Sequence, residues 1–156
     1  MRLHLCAVGR LRAGPERDLV DDYLQRLQRT GRPLGLGPAV EHEVEDRKGG
    51  GMSAEGALLS RAIPDGAALC VLDERGKTLS SPEFAQTLAQ WRDGGRQDAA
   101  FVIGGADGVD PSIRSRADLV ISFGRMVWPH MLVRVMLAEQ LYRAATILSG
   151  SPYHRE

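Results

Sequence analysis

Short apolar or alternating runs, separated by segments of helical periodicity, constrain the fold of this chain more than any other feature. Five runs of four to six residues occur, at 3–8, 39–44, 67–72, 99–103 and 119–122. Strands that alternate with helices along a chain form a mostly parallel sheet with helices packed on its faces. The sequence therefore predicts an α/β fold with a mostly parallel sheet flanked by helices, and 156 residues suit one domain, 1–156.

The segments between these runs carry the start and stop signals of helices. Apolar residues recur at helical spacing after Pro15, and a second helix through residues 58–63 has Ser53 as its candidate cap. A third begins near Ser81, whose side chain can accept from the first unpaired amides, and Pro82, and it ends before Gly94 and Gly95. Two further helices are predicted, a short one opened by Asp110 and Pro111 and a final one over roughly 132–148.

Charge and cysteine usage limit the classes of partner. The chain has 20 basic and 20 acidic residues, so its overall charge gives no general attraction to a polyanion, and any nucleic-acid contact must be local. The local candidate is the segment 1–34, which has seven arginines against four acids, net +3, and suits either phosphate contacts or a solvated helix face. Cys6 and Cys70 lie in apolar runs without metal-ligand spacing, and the run at 3–8 is too short for a signal peptide or membrane span. We therefore expect a soluble cytoplasmic protein without membrane partners, metal or disulfide.

Three strand ends are followed by loops that contain glycine, and parallel strands end at one edge of a sheet, where such folds bind ligands. The loops are residues 72–76, 103–108 and 122–129. Gly104 and Gly105 permit either close approach of a ligand to the backbone or an ordinary tight turn. The spacing G-G-x-x-G is not the G-x-G-x-x-G of dinucleotide-binding folds, and it occurs late in the chain. Asp73 and Glu74 are adjacent and point apart, so turn chemistry is expected of them rather than a carboxylate pair.

The last six residues crowd polar and aromatic chemistry into a place where most chains fray. They are Ser151, Pro152, Tyr153, His154, Arg155 and Glu156. His154 suits proton acceptance near neutral pH, and the alternative is that His154 and Arg155 bind phosphate or base while Tyr153 stacks on a nucleobase. His130, just before the final helix, is expected to fix its loop by hydrogen bonding.

The segments LDERG at 72–76, FVIGGADG at 101–108, WPHMLVR at 128–134 and AEQLYRA at 138–144, closed by the SPYHRE tail, resemble the RlmH family over essentially the full length. That family consists of SPOUT-class methyltransferases that methylate N3 of a pseudouridine in 23S ribosomal RNA. The resemblance implies S-adenosylmethionine as cofactor, a trefoil knot in the carboxyl-terminal half, and a homodimer that acts on the assembled 70S ribosome, with no DNA partner.

The resemblance also implies site residues. Those that hold S-adenosylmethionine would be Leu72, Gly104, Gly105, Phe123, Gly124, Arg125, Met126, Val127 and Trp128. The candidates on the substrate side are Tyr153, His154 and Arg155. Arg134, Glu139 and Arg143 would organise the cofactor loop and the partner subunit, although Glu139 and Arg143 at i, i+4 spacing also suit a simple surface ion pair.

Two other functions stay open from the residues. A knotted methyltransferase with another RNA target, such as a ribose hydroxyl of tRNA, would need the same cofactor loops. A non-catalytic ribosome-associated protein could keep the fold without binding the cofactor.

Overall fold

A computed structural model describes residues 1–155. The chain folds into three layers, with helices on both faces of one sheet. In chain order the elements are β1 Arg2–Val8, α1 Pro15–Gly31, a 3₁₀ turn Arg32–Leu34, β2 Ala39–Val44, α2 Gly51–Ala62, β3 Ala68–Lys77, α3 Ser81–Asp93, β4 Asp98–Ile103, α4 Pro111–Ser115, β5 Leu119–Ile121 and α5 His130–Ser149. The five strands run parallel in the order β2-β1-β4-β3-β5. The predicted fold class is confirmed.

The two faces of the sheet carry different helices because alternate strand residues point to opposite sides. Leu3, Leu5 and Ala7 of β1 belong to a core shared with α1, α3 and α5, whereas Cys6 belongs to a smaller core shared with α2 and α4. Both cysteines are buried and unbonded, and burial raises the pKa of the Cys6 thiol to about 12. Within the described residues, no helix is both long and apolar enough to cross a bilayer.

Two predicted helix caps are wrong by local chemistry. Ser80, not Ser81, caps α3. The Ser80 hydroxyl accepts from the Glu83 amide, and the Glu83 carboxylate accepts from the Ser80 amide. The Ser81 hydroxyl instead donates to the Gln140 side chain. Ser53 lies inside α2, which begins at Gly51 after a turn closed by the Asp46 carboxylate. The predicted short helix does begin after Asp110, whose side chain accepts from the Ser112 amide.

The largest difference concerns the end of β3. The sequence predicts that this strand ends at Leu72, but it runs on to Lys77 with a register shift against β5 between Leu72 and Lys77. Gly76 permits this pairing, because a β-carbon there would lie 2.7 Å from the backbone of Val120 and Ile121. Polar residues therefore form an irregular strand at the edge where a loop was expected.

Candidate functional site

A cavity of about 270 Å³ opens at the carboxyl edge of the sheet, where β3, β4 and β5 end. The three predicted loops meet around it, as parallel strands require. The lining includes eight of the nine residues predicted to hold a cofactor: Leu72, Gly104, Gly105, Phe123, Gly124, Met126, Val127 and Trp128. The side chain of Arg125 is exposed and does not belong to the lining.

Asp73 and Arg75 form the β3 wall of this cavity. The Asp73 carboxylate accepts from the backbone amide and the guanidinium of Arg75, and from Arg114 at 3.2 Å. These bonds, those from the Arg75 side chain first, lower the pKa of Asp73 to about 2. Asp73 is thus an ionised residue that shapes the turn, as the sequence suggested, and its partners are arginines rather than Glu74.

The G-G-x-x-G loop after β4 needs its first glycine for its own folding. A β-carbon on Gly104 would lie 2.5 Å from the backbone of Gly108, and Gly105 pairs with Gly108 in an antiparallel bridge. The tight-turn explanation of Gly104 therefore holds whatever the cavity binds. A β-carbon on Gly105 would lie 2.9 Å from the Glu55 carboxylate, which places α2 directly behind the loop.

The segment after β5 supplies the most exposed apolar surface at the cavity mouth. The Ser122 hydroxyl donates to the Gly124 carbonyl and accepts from its amide, and Gly124 has φ 117°, a value that favours glycine. Beyond this turn Met126 is 74% exposed, Val127 83% and Trp128 41%. Such exposure of three consecutive large apolar residues beside a cavity is typical of a ligand-binding rim.

His130 does not have its predicted role. It is the first residue of α5, is exposed and lines the cavity, and its ring makes no hydrogen bond with residues 1–155. Burial first, and then Asp107 and Asp46, raise the pKa of the nearby Glu55 carboxyl. Ser122 and Val133 also line the cavity but were not among the nine predicted cofactor residues, although Ser122 begins the predicted loop 122–129 and Val133 lies in the predicted final helix.

Arg134, one turn into α5, is 2% exposed and fastens the cavity helix to the neighbouring strands. Its guanidinium donates to the Glu43 carboxylate at 2.6 Å and to the carbonyls of Val8 and Gly9 at 3.3 and 2.9 Å. Glu43 in turn accepts from the Leu11 amide at 2.7 Å. One ion pair thus links α5, β2 and the loop after β1.

The tail lies along the second half of α5 and does not line the cavity of its own chain. The Tyr153 hydroxyl donates to Glu139 at 3.1 Å, and the Arg143 guanidinium lies 4.8 Å from the Tyr153 ring centre while it pairs with Glu139 at 2.6 Å. Arg155 is exposed. Glu139 and Arg143 therefore do more than the simple surface ion pair that their spacing suggests, because they hold the tail.

His154 completes this network in a defined tautomer. A guanidinium can only donate, so the Arg143 contact at 3.1 Å makes His154 Nδ1 the acceptor and leaves the proton on Nε2. Nε2 is buried and has no partner among residues 1–155. In this arrangement His154 offers a hydrogen-bond donor rather than a proton acceptor.

The comparison with protein families gives this site its context. The family model described as "Predicted SPOUT methyltransferase" matches residues 1–154. The chain belongs to the SPOUT methyltransferase family. The family implies a methyl donor.

Curated relatives confirm the resemblance to the RlmH family. Proteins named "Ribosomal RNA large subunit methyltransferase H" from Cereibacter sphaeroides, Ruegeria sp. and Dinoroseobacter shibae are 76%, 72% and 70% identical to this chain. Each alignment covers 99% of both chains. A solved structure, a probable methylase family protein from Haemophilus influenzae, superimposes with a TM-score of 0.53 at 10% identity, covering 99% of this chain and 70% of that one. That likeness supports the fold alone.

Proposed function

We propose that this protein methylates N3 of a pseudouridine in 23S ribosomal RNA on the assembled 70S ribosome, with S-adenosylmethionine as methyl donor. The observation that carries the proposal is the carboxyl-edge cavity, whose lining includes eight of the nine residues that the resemblance to the RlmH family assigns to the cofactor. The names of the full-length relatives support the RNA class of the substrate.

The residues of the cavity suit the proposed donor. Ile103, Ile121 and Val133 give an apolar floor, and Met126 and Trp128 stand exposed at the mouth, where an adenine ring would cover them. The Asp73 carboxylate holds the β3 wall in shape through its ion pairs with Arg75 and Arg114. When bound, S-adenosylmethionine would supply a sulfonium methyl group, whose transfer forms a carbon–nitrogen bond, breaks a carbon–sulfur bond and releases the N3 proton.

The tail supports the substrate side of the proposal. Aromatic and arginine side chains stack on bases and bind phosphate, and the tail provides Tyr153, His154 and Arg155. His154 Nδ1 is occupied by Arg143 and Nε2 is buried, so the tail would have to shift before Nε2 could donate to the substrate. Solvent water or a rearranged His154 would then accept the N3 proton.

The tail lies outside its own cavity, so we also propose that a homodimer brings one subunit's tail to the other subunit's cavity. A groove between α1 and α5, lined by Leu19, Tyr23, Val135 and Met136, offers an apolar contact surface, and Leu19 is 44% exposed. The trefoil knot implied by the family belongs to the same proposal and would lie where the cofactor loops meet.

Transfer of radiolabelled methyl from S-adenosylmethionine to 70S ribosomes, free large subunits and bulk tRNA tests the function. We expect label in the ribosome at a pseudouridine of 23S rRNA. Label in tRNA alone would move the target, and no label anywhere would favour a binding protein without catalysis.

Calorimetry tests the cofactor cavity. Trp128→Ala should weaken S-adenosylmethionine binding roughly ten-fold, because an aromatic contact contributes about 1 kcal/mol beyond its buried area. Val40→Ala is the matched control, since Val40 is also exposed, at 38%, but lies on β2 away from the cavity. Equal affinities of both variants and the wild type would contradict the assignment.

Mixing two variants tests the exchange of tails. Trp128→Ala and His154→Ala proteins, mixed and assayed at a cofactor concentration below the weakened Kd, should recover activity if a tail serves the partner's cavity. If each tail served its own cavity, every site in the mixed dimer would carry one defect and no activity would return.

A further inference from the structure

Four of the seven arginines of the basic segment 1–34 make no ion pair with residues 1–155, and two of these four lie beside the cavity. Three of the seven arginines make ion pairs: Arg2 with Asp98, Arg17 with Asp21 and Glu41, and Arg26 with Asp22. Of the other four, Arg29 and Arg32 are exposed at the carboxyl end of α1, beside the turn in which Gly37 donates to the Met1 carbonyl. That turn lies at the amino edge of the sheet. Arg10 and Arg12 remain, and both are exposed in the loop between β1 and α1.

This loop is fixed in place, although its two arginines are exposed. Leu11, between them, is 5% exposed and packs with Val20, Val135 and Ala138. The Leu11 amide donates to Glu43, and Arg134 binds the Val8 and Gly9 carbonyls that precede it. Because the backbone is anchored on both sides of Arg10, the two guanidinium groups extend from a preorganised support.

The loop lies beside the cavity. β1 pairs with β4 in parallel, so the loop after β1 begins next to the loop that follows β4. A β-carbon on Gly105, a cavity residue, would lie 3.2 Å from the Val8 side chain. Arg10 follows Val8 by two residues, so Arg10 and Arg12 lie at the same edge of the sheet as the proposed transfer site.

A second basic pair extends this edge. Arg47 and Lys48 are exposed in the loop after β2, the strand next to β1, and the Asp46 carboxylate is turned inward to the amides of Lys48 and Gly50. Arg10, Arg12, Arg47 and Lys48 make no ion pair with residues 1–155. We name these four residues the basic rim.

We infer that the basic rim binds the phosphate backbone of the RNA next to the nucleotide that enters the cavity. The inference rests on the proposed function and adds a place for substrate binding within a single subunit. A chain of zero net charge lacks long-range attraction to RNA, so affinity has to come from local cations that are not neutralised within the fold. Arginine suits this task because its planar fork binds phosphate through two parallel hydrogen bonds.

Pelleting with 70S ribosomes that lack the modification, between 50 and 200 mM KCl, tests the inference without relying on activity. Arg10→Ala/Arg12→Ala should weaken binding about ten-fold or more at low salt. In a plot of log affinity against log salt concentration, the slope should be smaller in magnitude by about 1.4 to 1.8. This is the change expected when two phosphate contacts are lost. Cofactor affinity should stay within two-fold of the wild type.

The matched control is Arg29→Ala/Arg32→Ala, which removes the same charge from the same segment at the opposite edge of the sheet and should leave the slope unchanged. Arg10→Lys/Arg12→Lys should recover most of the salt slope and less of the affinity, because the charge is kept and the fork is lost.

Three results would overturn the inference. If the rim variant and its control had equal slopes of log affinity against log salt, the loss of charge in the rim would matter no more than the loss of charge elsewhere in the segment. A rim variant with normal ribosome binding but an altered sedimentation coefficient would make the loop a contact between two copies of this chain. Normal pelleting with a methyl-transfer defect would exclude backbone binding as the rim's role. Failure of the wild type to methylate any RNA would instead reject the proposed function, and pelleting would still test the rim.

Discussion

Two arginines of α5, Arg134 and Arg143, each pair with a glutamate, but in opposite surroundings. Arg134 is 2% exposed, and its partner Glu43 lies 91 residues away on β2. The Arg143 side chain is 24% exposed, and its partner Glu139 lies one turn away on the same helix. The first pair fixes the cavity helix within the fold, and the second holds a tail on its surface. An arginine–glutamate ion pair thus gives rigid support in the first half of α5 and an adaptable surface contact in the second half.

Arg134→Ala should give the largest effect on stability. It removes the donor of the Val8 and Gly9 carbonyls and leaves Glu43 with the Leu11 amide as its remaining close donor, and breaking a buried pair costs about 3 to 5 kcal/mol. Urea unfolding followed by circular dichroism measures the free energy of unfolding. Arg143→Ala is the control and should cost about 1 kcal/mol or less. Equal losses in the two variants would remove the contrast between the halves of α5.

His154→Ala should lower the turnover number roughly 10- to 100-fold, because it removes the donor, or later acceptor, that the tail offers to the substrate. The affinity for S-adenosylmethionine should stay within two-fold, since His154 lies outside the cavity lining. Single-turnover kinetics and calorimetry separate the two quantities. If both fell together, His154 would belong to the cofactor side.

Glu139→Gln should release the tail without unfolding the domain. Its carboxylate accepts from Arg143, Tyr153 and Gln140, and these contacts are only partly buried, so we expect a loss of about 1 kcal/mol or less. Trypsin should cleave after Arg155, in the tail, faster than in the wild type. Gln28→Glu, a reverse change on the exposed face of α1, controls for altered charge. Unchanged proteolysis would show that Glu139 does not hold the tail.

Tyr153→Phe should have the smallest effect, and that effect depends on pH. Burial first, and then the Glu139 charge, raise the pKa of Tyr153 to about 12. A group whose pKa is higher in the folded than in the unfolded protein contributes its full stabilisation at pH values below its unfolded pKa, which is about 10 for tyrosine. That stabilisation is lost as the pH rises from about 10 to 12. The wild type should therefore exceed the variant in unfolding free energy at pH 8, by a gap that narrows above pH 10. A gap that stays constant with pH would place the hydroxyl in solvent.

Local patterns predicted much of the fold correctly. The β2 run matches the strand residue for residue, the β1, β4 and β5 runs agree to within one residue, and α1 begins at Pro15, because alternation and proline act within a few neighbours. The end of β3 was missed, because Asp73, Glu74 and Arg75 have turn composition and the pairing of Gly76 with β5 is not visible in the sequence.

The sequence by itself determined which loops meet at the candidate site, since parallel strands place their carboxyl ends together and each strand had a clear apolar signal. Only the tertiary structure decided that Arg134 is buried against Glu43, that Arg10 and Arg12 are exposed beside the cavity while Arg2, Arg17 and Arg26 are paired, and that the tail lies along α5 away from its own cavity. The physical reason is distance along the chain. Periodicity reports which face of an element is buried, whereas an ion pair across 91 residues depends on how whole elements pack.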